Sequence, residues 1–557
     1  MSPVPEFVLT LVQAYLQPLL LWFSHRVYDE LVQGAGDHLL VKVHAQLDWT
    51  RLEQACASYH HTTGPGAPPT HSVPRLVRAL VVKYLFNWSL RQLECQIRYN
   101  LLVKWFVGYP IWAAGPDHTT LERFEVWVME QQHRVFFDEV LRQIDQDFPA
   151  ERQQPQIGDT FALRANAAPE STVRLIRHTC QRLLWTLATT DPLRHQQVIA
   201  QVDQAALFGA ADERNEYHLD AAGRQTRLQT TVAAALRCAQ LVREQLAAAP
   251  RLSAATRQPV QEWLDRLHKV LGDEVQVTRD AQGQVTQVTR RPDDQKGSYR
   301  LGSATDPAAT YRVHGKKKCD LGYNVQVAAT RHFIREIQAA TGAQPDPVTI
   351  PAVLTAQQTY HDCCPPKLIY DAAAGTGKAQ ALVAQATHDQ TQLVAPLIPY
   401  AKRTDRFSPE DFTVAADRAA LTCPNGVTST VAYRAGGGQG RTFRFTATQC
   451  ADCRLWTQCR HPKVDPTHLR QVFISDFRAY VAIARAYNQT AEFKADMKLR
   501  PLIERVIAML TRYDGAREAR RRGEDAADFQ AKMCATARNL RLWVGLLERT
   551  AAVRTPA

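Results

Sequence analysis

The sequence lacks the features that mark several common protein classes. Its most apolar stretch, FVLTLVQAYLQPLLLWF at residues 7–23, has no basic lead-in and is broken by Gln13, Gln17 and Pro18. That argues against both a signal peptide and a membrane span, and the run reads as a core or docking helix. No secretion signal accompanies the 12 cysteines. They therefore belong to a reducing compartment, the cytoplasm by default, where clustered cysteines hold metal more often than they pair. A nucleotide-binding loop is missing as well. The stretch LIYDAAAGTGKAQAL at residues 368–382 contains Gly377-Lys378, but Ala372 stands where the first loop glycine belongs and Ala379 where the Mg2+-binding hydroxyl belongs. No internal repeat is evident.

What is there is length and positive charge. A chain of 557 residues has room for two to four domains and a large core. Its 67 Lys and Arg against 55 Asp and Glu leave a net charge of +12. This favours a polyanionic partner, nucleic acid first, over a merely solvated basic surface.

Residues 1–150 read as mostly helical, with the Gly/Pro-rich HHTTGPGAPPTHSVP at residues 60–74 as a loop between two helical blocks. In RLVRALVVKYLFNWSLRQLECQIRYN the apolar residues recur at helical spacing, Asn87-Trp88 interrupts them, and Ser89 with Gln92 forms a capping box. The outline is that of a helix-turn-helix carrying Arg75, Arg78, Lys83, Arg91 and Arg98, although two packed amphipathic helices would read the same. Thr119 to Glu122 reads as a second capping box. Strand-like alternation follows at residues 154–168, around Asp159. An alanine-rich helical text covers residues 170–270, a hairpin residues 275–289, and a linker RRPDDQKGS comes next. LGYNVQVAAT at residues 321–330 reads as a strand, residues 350–360 as a helix, and Leu368-Ile369-Tyr370 as a buried strand delivering Asp371 at its end. Loops rich in Cys, Gly and Arg follow residue 400, and basic helices resume after about residue 475.

Three groups of residues suggest chemistry. Cys423, Cys450, Cys453 and Cys459 have the C-x2-C spacing and extra thiols that can close a structural Zn2+ shell, with His461 as a substitute ligand and unmetallated thiols as the alternative. In KLRPLIERVIAMLTRYDGAREARRRG, residues Leu499, Leu502, Ile503, Val506, Ile507 and Leu510 form a helical stripe. Glu504 sits off its centre, four residues after Arg500, where a simple ion pair would explain it. Asp159, Asp371 and Glu504 together, in an otherwise basic chain, make an oxygen-only set that suits Mg2+ or Mn2+. Two such ions can promote in-line attack on a phosphodiester. Asp306 and Asp320 are the competing carboxylates, and Asp306 is expected to be structural. Lys316, Lys317 and Lys318, in an expected hairpin, would contact phosphates or simply line a hydrated turn.

Taken together, LVRALVVKYLFNWSLRQLECQIRYNLLVKWFVGYP with PDHTTLERF, GDTFALRANA, ATDPAATYRVHGKKKCDLGYNVQVA, LIYDAAAGTG, RPLIERVIAMLTRYDGAREARRRG and ARNLRLW resemble, in order and spacing, the bacterial insertion-sequence DDE transposases with a cysteine-rich insertion. The resemblance implies an α+β, mostly helical protein with an RNase H-like catalytic core, a mixed sheet flanked by helices. It places an N-terminal helical DNA-binding region at residues 1–150 and core segments at 151–170 and 296–400. A helical insertion with a hairpin would occupy residues 171–295, a zinc-binding insertion 401–470, and closing helices 471–557. Asp159, Asp371 and Glu504 would be the catalytic, Mg2+-binding triad, with two ions. Gly375 and Gly377 would serve the turn after the second strand. Arg500, Arg512, Arg91, Arg98 and the three lysines would meet DNA. Met497 and Thr511 stand where relatives with a Tyr-Arg-Glu-Lys signature carry tyrosine and lysine. The implied reaction is strand cleavage and transfer at element ends by a homodimer on double-stranded DNA, without a membrane, in the nucleoid-bearing cytoplasm. A DNA-binding repressor and a nuclease that cuts without joining are the rival readings.

Overall fold

The computed structural model describes residues 16–60, 70–249, 252–297, 299–314, 318–397, 406–435, 437–461, 463–465 and 468–554. The chain is mostly helical around one mixed sheet, in the α+β class.

Ten helical segments precede the first strand, from Gln17–Gly34 to the short turn Pro149–Gln153 among the described residues. The expected break at Asn87 is real. Asn87 has a positive φ, and the helix Leu90–Tyr99 starts with a Ser89–Gln92 capping box in which both halves are made. The cap expected at Thr119 is instead Asp117, whose carboxylate accepts from Thr120 N, because the helix His118–Gln131 begins two residues earlier than the Thr119 reading needs. In the apolar leading run, residues 7–15 lie outside the described residues. Of the rest, Leu19, Leu20, Leu21, Trp22 and Phe23 are exposed, and only Ser24 and Tyr28 of that helix are buried, so the core reading of this stretch is corrected.

The sheet is built from β1 (Gln156–Arg164), β4 (Thr310–His314), β5 (Lys318–Ala329), β6 (Ile334–Thr341), β7 (Lys367–Ile369) and β8 (Gln392–Val394). β5 pairs antiparallel with β1 on one edge and with β6 and β4 on the other, while β7 and β8 run parallel to β1. The resulting order is β6-β5-β1-β7-β8, with β4 beside β6 along β5. Between β1 and β4 lies an excursion of helices with a hairpin, β2 (Val275–Arg279) and β3 (Val285–Arg290), as the alternation at residues 275–289 anticipates.

The excursion has its own apolar core, from Val173 to Ala304. A small lobe after residue 406 packs around Phe412, Leu421, Phe443 and Phe445. By contrast, the N-terminal helices, β1, β5 and β6, and the closing helices Pro501–Arg512 and Glu524–Arg554 share one hydrophobic core, from Leu40 to Val544. The stripe read in the sequence lies on it: Ile503 and Leu510 are buried, and Leu499, Leu502, Val506 and Ile507 pack beside them.

Charges fasten the last helix to this core. Asp528 accepts from Ala339 N of β6 at 2.8 Å and from Lys532 Nζ at 2.7 Å, and faces His133 Nε2 at 2.7 Å. Burial pushes this carboxyl up, but Lys532 and His133 outweigh it and hold it at about 2. An unfolded aspartate titrates near 3.9, so the difference is worth about 2 kcal/mol. That stability is present above pH ~4 and is lost as the pH falls toward 2. Urea midpoints at pH 6 and pH 3 should therefore fall further apart in the wild type than in Asp528→Asn; equal falls would remove Asp528 from the acid response.

Candidate active site

Asp159 and Asp371 are brought together by strand pairing. β1 and β7 are neighbours with Ile157 opposite Ile369. Asp159 and Asp371 each follow that pair by two residues, and one guanidinium nitrogen, Arg500 Nη2, lies within 4 Å of both carboxylates. Asp159 is anchored by Thr160 N, which donates to its Oδ1 at 2.8 Å. Asp371 leaves the strand and caps the turn Ala372–Ala374, accepting from Ala373 N at 2.9 Å.

The third carboxylate arrives on the helix Pro501–Arg512, which packs on β1 and places Pro501 in its first turn. One turn in, Glu504 is paired with Arg500 at 3.4 Å, as the i,i+4 spacing suggests. The sequence did not reveal the rest: the same guanidinium bonds Asp159 Oδ2 at 2.9 Å and reaches Asp371 Oδ2 at 3.8 Å. Arg500 thus stands amid all three acidic side chains. Burial, with Asp371 and Asp346 adding repulsion, pushes the Asp159 carboxyl above the ordinary aspartate range despite Thr160 N and Arg500.

Two further residues belong to this neighbourhood. Asp346, the first residue of the helix Asp346–His361, accepts from Asn324 Nδ2 at 2.9 Å and adds a fourth negative charge. Its only sequence signal is the acidic helix start in QPDPVT. Tyr370 is fully buried, and its hydroxyl has no hydrogen-bond partner among the described residues. Burial and the charges of Asp346, Asp159 and Asp371 hold this phenol far above its ordinary range. Its ring lies against Gly158, where a Cβ would come within 2.5 Å of it, so glycine precedes Asp159 for want of space.

Gly375 answers to a similar constraint: a Cβ there would run into the Pro396 carbonyl oxygen. Gly377 begins the helix Gly377–Thr387 tight against Phe477 and Val481. Gly375→Ala should cost about 1–3 kcal/mol, as overpacking does, and shift Asp371. A variant as stable as the wild type in urea would show that the turn has slack.

The other expected contacts are dispersed. Arg91 is exposed on the helix Leu90–Tyr99, whose Leu93 and Ile97 are buried, and Arg98 is exposed and paired with Glu94 at 3.3 Å. Arg512 is exposed at the end of the helix that carries Glu504. Lys316 and Lys317 lie outside the described residues, as does the Lys318 side chain. Lys83 is not a surface cation; it is buried in an ion pair with Glu125. Asp306 is structural, as expected: it is buried, and the Tyr323 hydroxyl and Gly523 N donate to it. Asp320 pairs with Arg164 at 3.5 Å.

The zinc expectation needs correcting. Cys423, Cys450 and Cys459 pack against the small lobe's phenylalanine core, and burial pushes the Cys450 and Cys459 thiols up. All of these cysteines, with Cys453, are free thiols. Among the described residues, no group of three or more His, Cys, Asp or Glu side chains is arranged to hold a metal ion, so Zn2+ is not supported. Nor do Asp159, Asp371 and Glu504 share a ligand point, since they surround a guanidinium.

Two family models match the chain. Residues 27–126 match a transposase domain, "Transposase domain (DUF772)", and residues 422–543 match "Transposase DDE domain". The two matches support an insertion-sequence DDE transposase. The first match covers the helix that bears Arg91 and Arg98, and the second runs from the small lobe through Arg500 and Glu504 into the last helix of the chain. No curated protein and no solved structure gives a match. Among the described residues, no helix is long and apolar enough to cross a membrane.

Proposed function

We propose that this transposase cleaves DNA at the ends of its element and joins the freed 3′-hydroxyl to target DNA, at a site formed by Asp159, Asp371 and Glu504. The observation that carries the reading is the convergence of these three carboxylates, from residues 345 positions apart in the chain, on one cationic group. The strand order β6-β5-β1-β7-β8, with the first two acids on neighbouring parallel strands and the third on a packed helix, supports an RNase H-like core.

The donor set fits divalent cations. It is all oxygen, it is anionic beyond what one arginine neutralises, and a buried phenol without a partner among the described residues adjoins it. Asp159, Asp371 and Glu504 would hold Mg2+ or Mn2+, which when bound supplies Lewis acidity and lowers the pKa of an attacking hydroxyl or water. The protein's own contribution is placement: each carboxylate sits on a different element, so none moves without its support. Arg91, Arg98 and Arg512 face solvent and would bind phosphates, making affinity fall steeply with salt. Two ends must be processed together, so a homodimer on paired ends is part of the proposal.

The test is incubation with Mg2+ and a duplex carrying the sequences that flank the gene. Joined products are expected. Nicks without joining would leave a plain nuclease, and binding without any product would leave a repressor.

A further inference from the structure

We infer that Arg500 is an internal counter-cation of the DNA-free transposase: its guanidinium keeps the three carboxylates together and withdraws before divalent cations enter, so that DNA phosphate and cation loading are coupled. The inference rests on the active-site reading above.

The argument begins with charge. Three carboxylates on three elements would repel one another if nothing lay between them. In this structure one guanidinium spans them, at 2.9 Å from Asp159, 3.8 Å from Asp371 and 3.4 Å from Glu504. Arg500 is also committed to this place. It precedes Pro501 at the head of the helix that carries Glu504, its side chain is 23% exposed, and its Nε is buried without a partner among the described residues.

A guanidinium and divalent cations are rivals for the same oxygens. The same oxygen of Asp159 that accepts from Arg500 would have to turn to the cation, and two dications beside a fixed positive group repel it. For the cations to enter, the guanidinium must find another anion. Phosphate is the anion whose geometry its forked donors match as well as carboxylate. DNA arriving at the site therefore offers Arg500 an exit, and by linkage the occupancy of one favours the other. Without DNA, apparent cation affinity is reduced by the fraction of molecules in which the guanidinium stays in place.

The measurement is Mn2+ binding to the full-length, DNA-free protein, followed by the electron paramagnetic resonance signal of free Mn2+. Arg500→Gln should bind Mn2+ roughly tenfold tighter than the wild type or more, the factor expected if the guanidinium is withdrawn a tenth of the time or less. Arg500→Lys keeps a cation in place and should stay near the wild type. A short duplex of the flanking sequence should raise the affinity of the wild type and leave Arg500→Gln nearly unchanged. Unchanged or weaker binding by Arg500→Gln, a rise shared by both variants, or an equal effect of DNA on wild type and Arg500→Gln would each overturn the inference. Tight binding that survives in the double variant Arg500→Gln, Asp159→Asn would place the cation elsewhere, and would overturn the active-site reading and this inference together.

Discussion

Asp159→Asn is expected to lower Mg2+-dependent strand cleavage by on the order of 10^2 to 10^3-fold or more, while DNA binding and folding persist; removal of a single group that stabilises developing charge has effects of this size. Among the three carboxylates, Asp159 is the most constrained. It lies within β1, its side chain is 18% exposed against 64% for Glu504, and both its oxygens are engaged, one by Thr160 N and one by Arg500. Asparagine has the same shape and can still accept from Thr160 N, so β1 should be undisturbed. What it lacks is the second anionic oxygen. Cleavage of an end-labelled duplex, beside a gel-shift titration of the same DNA, separates the two effects. Nicked product at near the wild-type rate would show that Asp159 only braces the strand and would remove it from the site.

The parts of this site that were legible in the sequence are local ones. Alternation around Asp159, the apolar Leu368-Ile369-Tyr370 before Asp371, and the stripe that positions Glu504 each depend on neighbours a few residues away, and each appears where it was expected. The Ser89–Gln92 cap belongs to the same class. The proximity of Asp159 to Asp371 was not legible, because it depends on the pairing of Ile157 with Ile369 across more than two hundred residues. The central position of Arg500 was hidden for the same reason: its bond to Glu504 is a matter of helical spacing, whereas its bond to Asp159 spans 341 residues. Asp346 escaped notice because an aspartate at a helix start has a sufficient local explanation, and only the packing of that helix near β5 gives it a second one. The cysteines are the converse case, a zinc expectation that the described residues do not support. Their spacing is a strong local signal, but whether thiols converge or pack against phenylalanine is decided by the lobe's core.

The larger expected effect on stability lies away from the site, where Arg335 of β6 is buried against Asp145 of the helix Val135–Asp147. Arg335 Nη2 donates to Asp145 Oδ2 at 2.8 Å and Nη1 to the other oxygen at 2.5 Å, while Arg152 stands 3.5 Å from the same carboxylate. The arginine is 1% exposed in its side chain and the aspartate 8%. Burial works against the Arg335 charge, and the bonds and charge of Asp145 outweigh it, so the guanidinium is held more firmly protonated than in water. Asp145→Ala leaves that charge in the interior with no full counterpart, and breaking such a pair costs about 3–5 kcal/mol. The loss would fall on the junction between the N-terminal helices and the sheet, which share one core. Asp145→Leu combined with Arg335→Met removes both charges and should recover most of the loss, because a buried pair contributes little beyond what apolar packing of the same volume supplies. Urea denaturation of Asp145→Leu alone, Arg335→Met alone and the double variant closes the cycle. If the double variant is as unstable as the sum of the singles, the two residues act independently, and the junction depends on packing rather than on the pair.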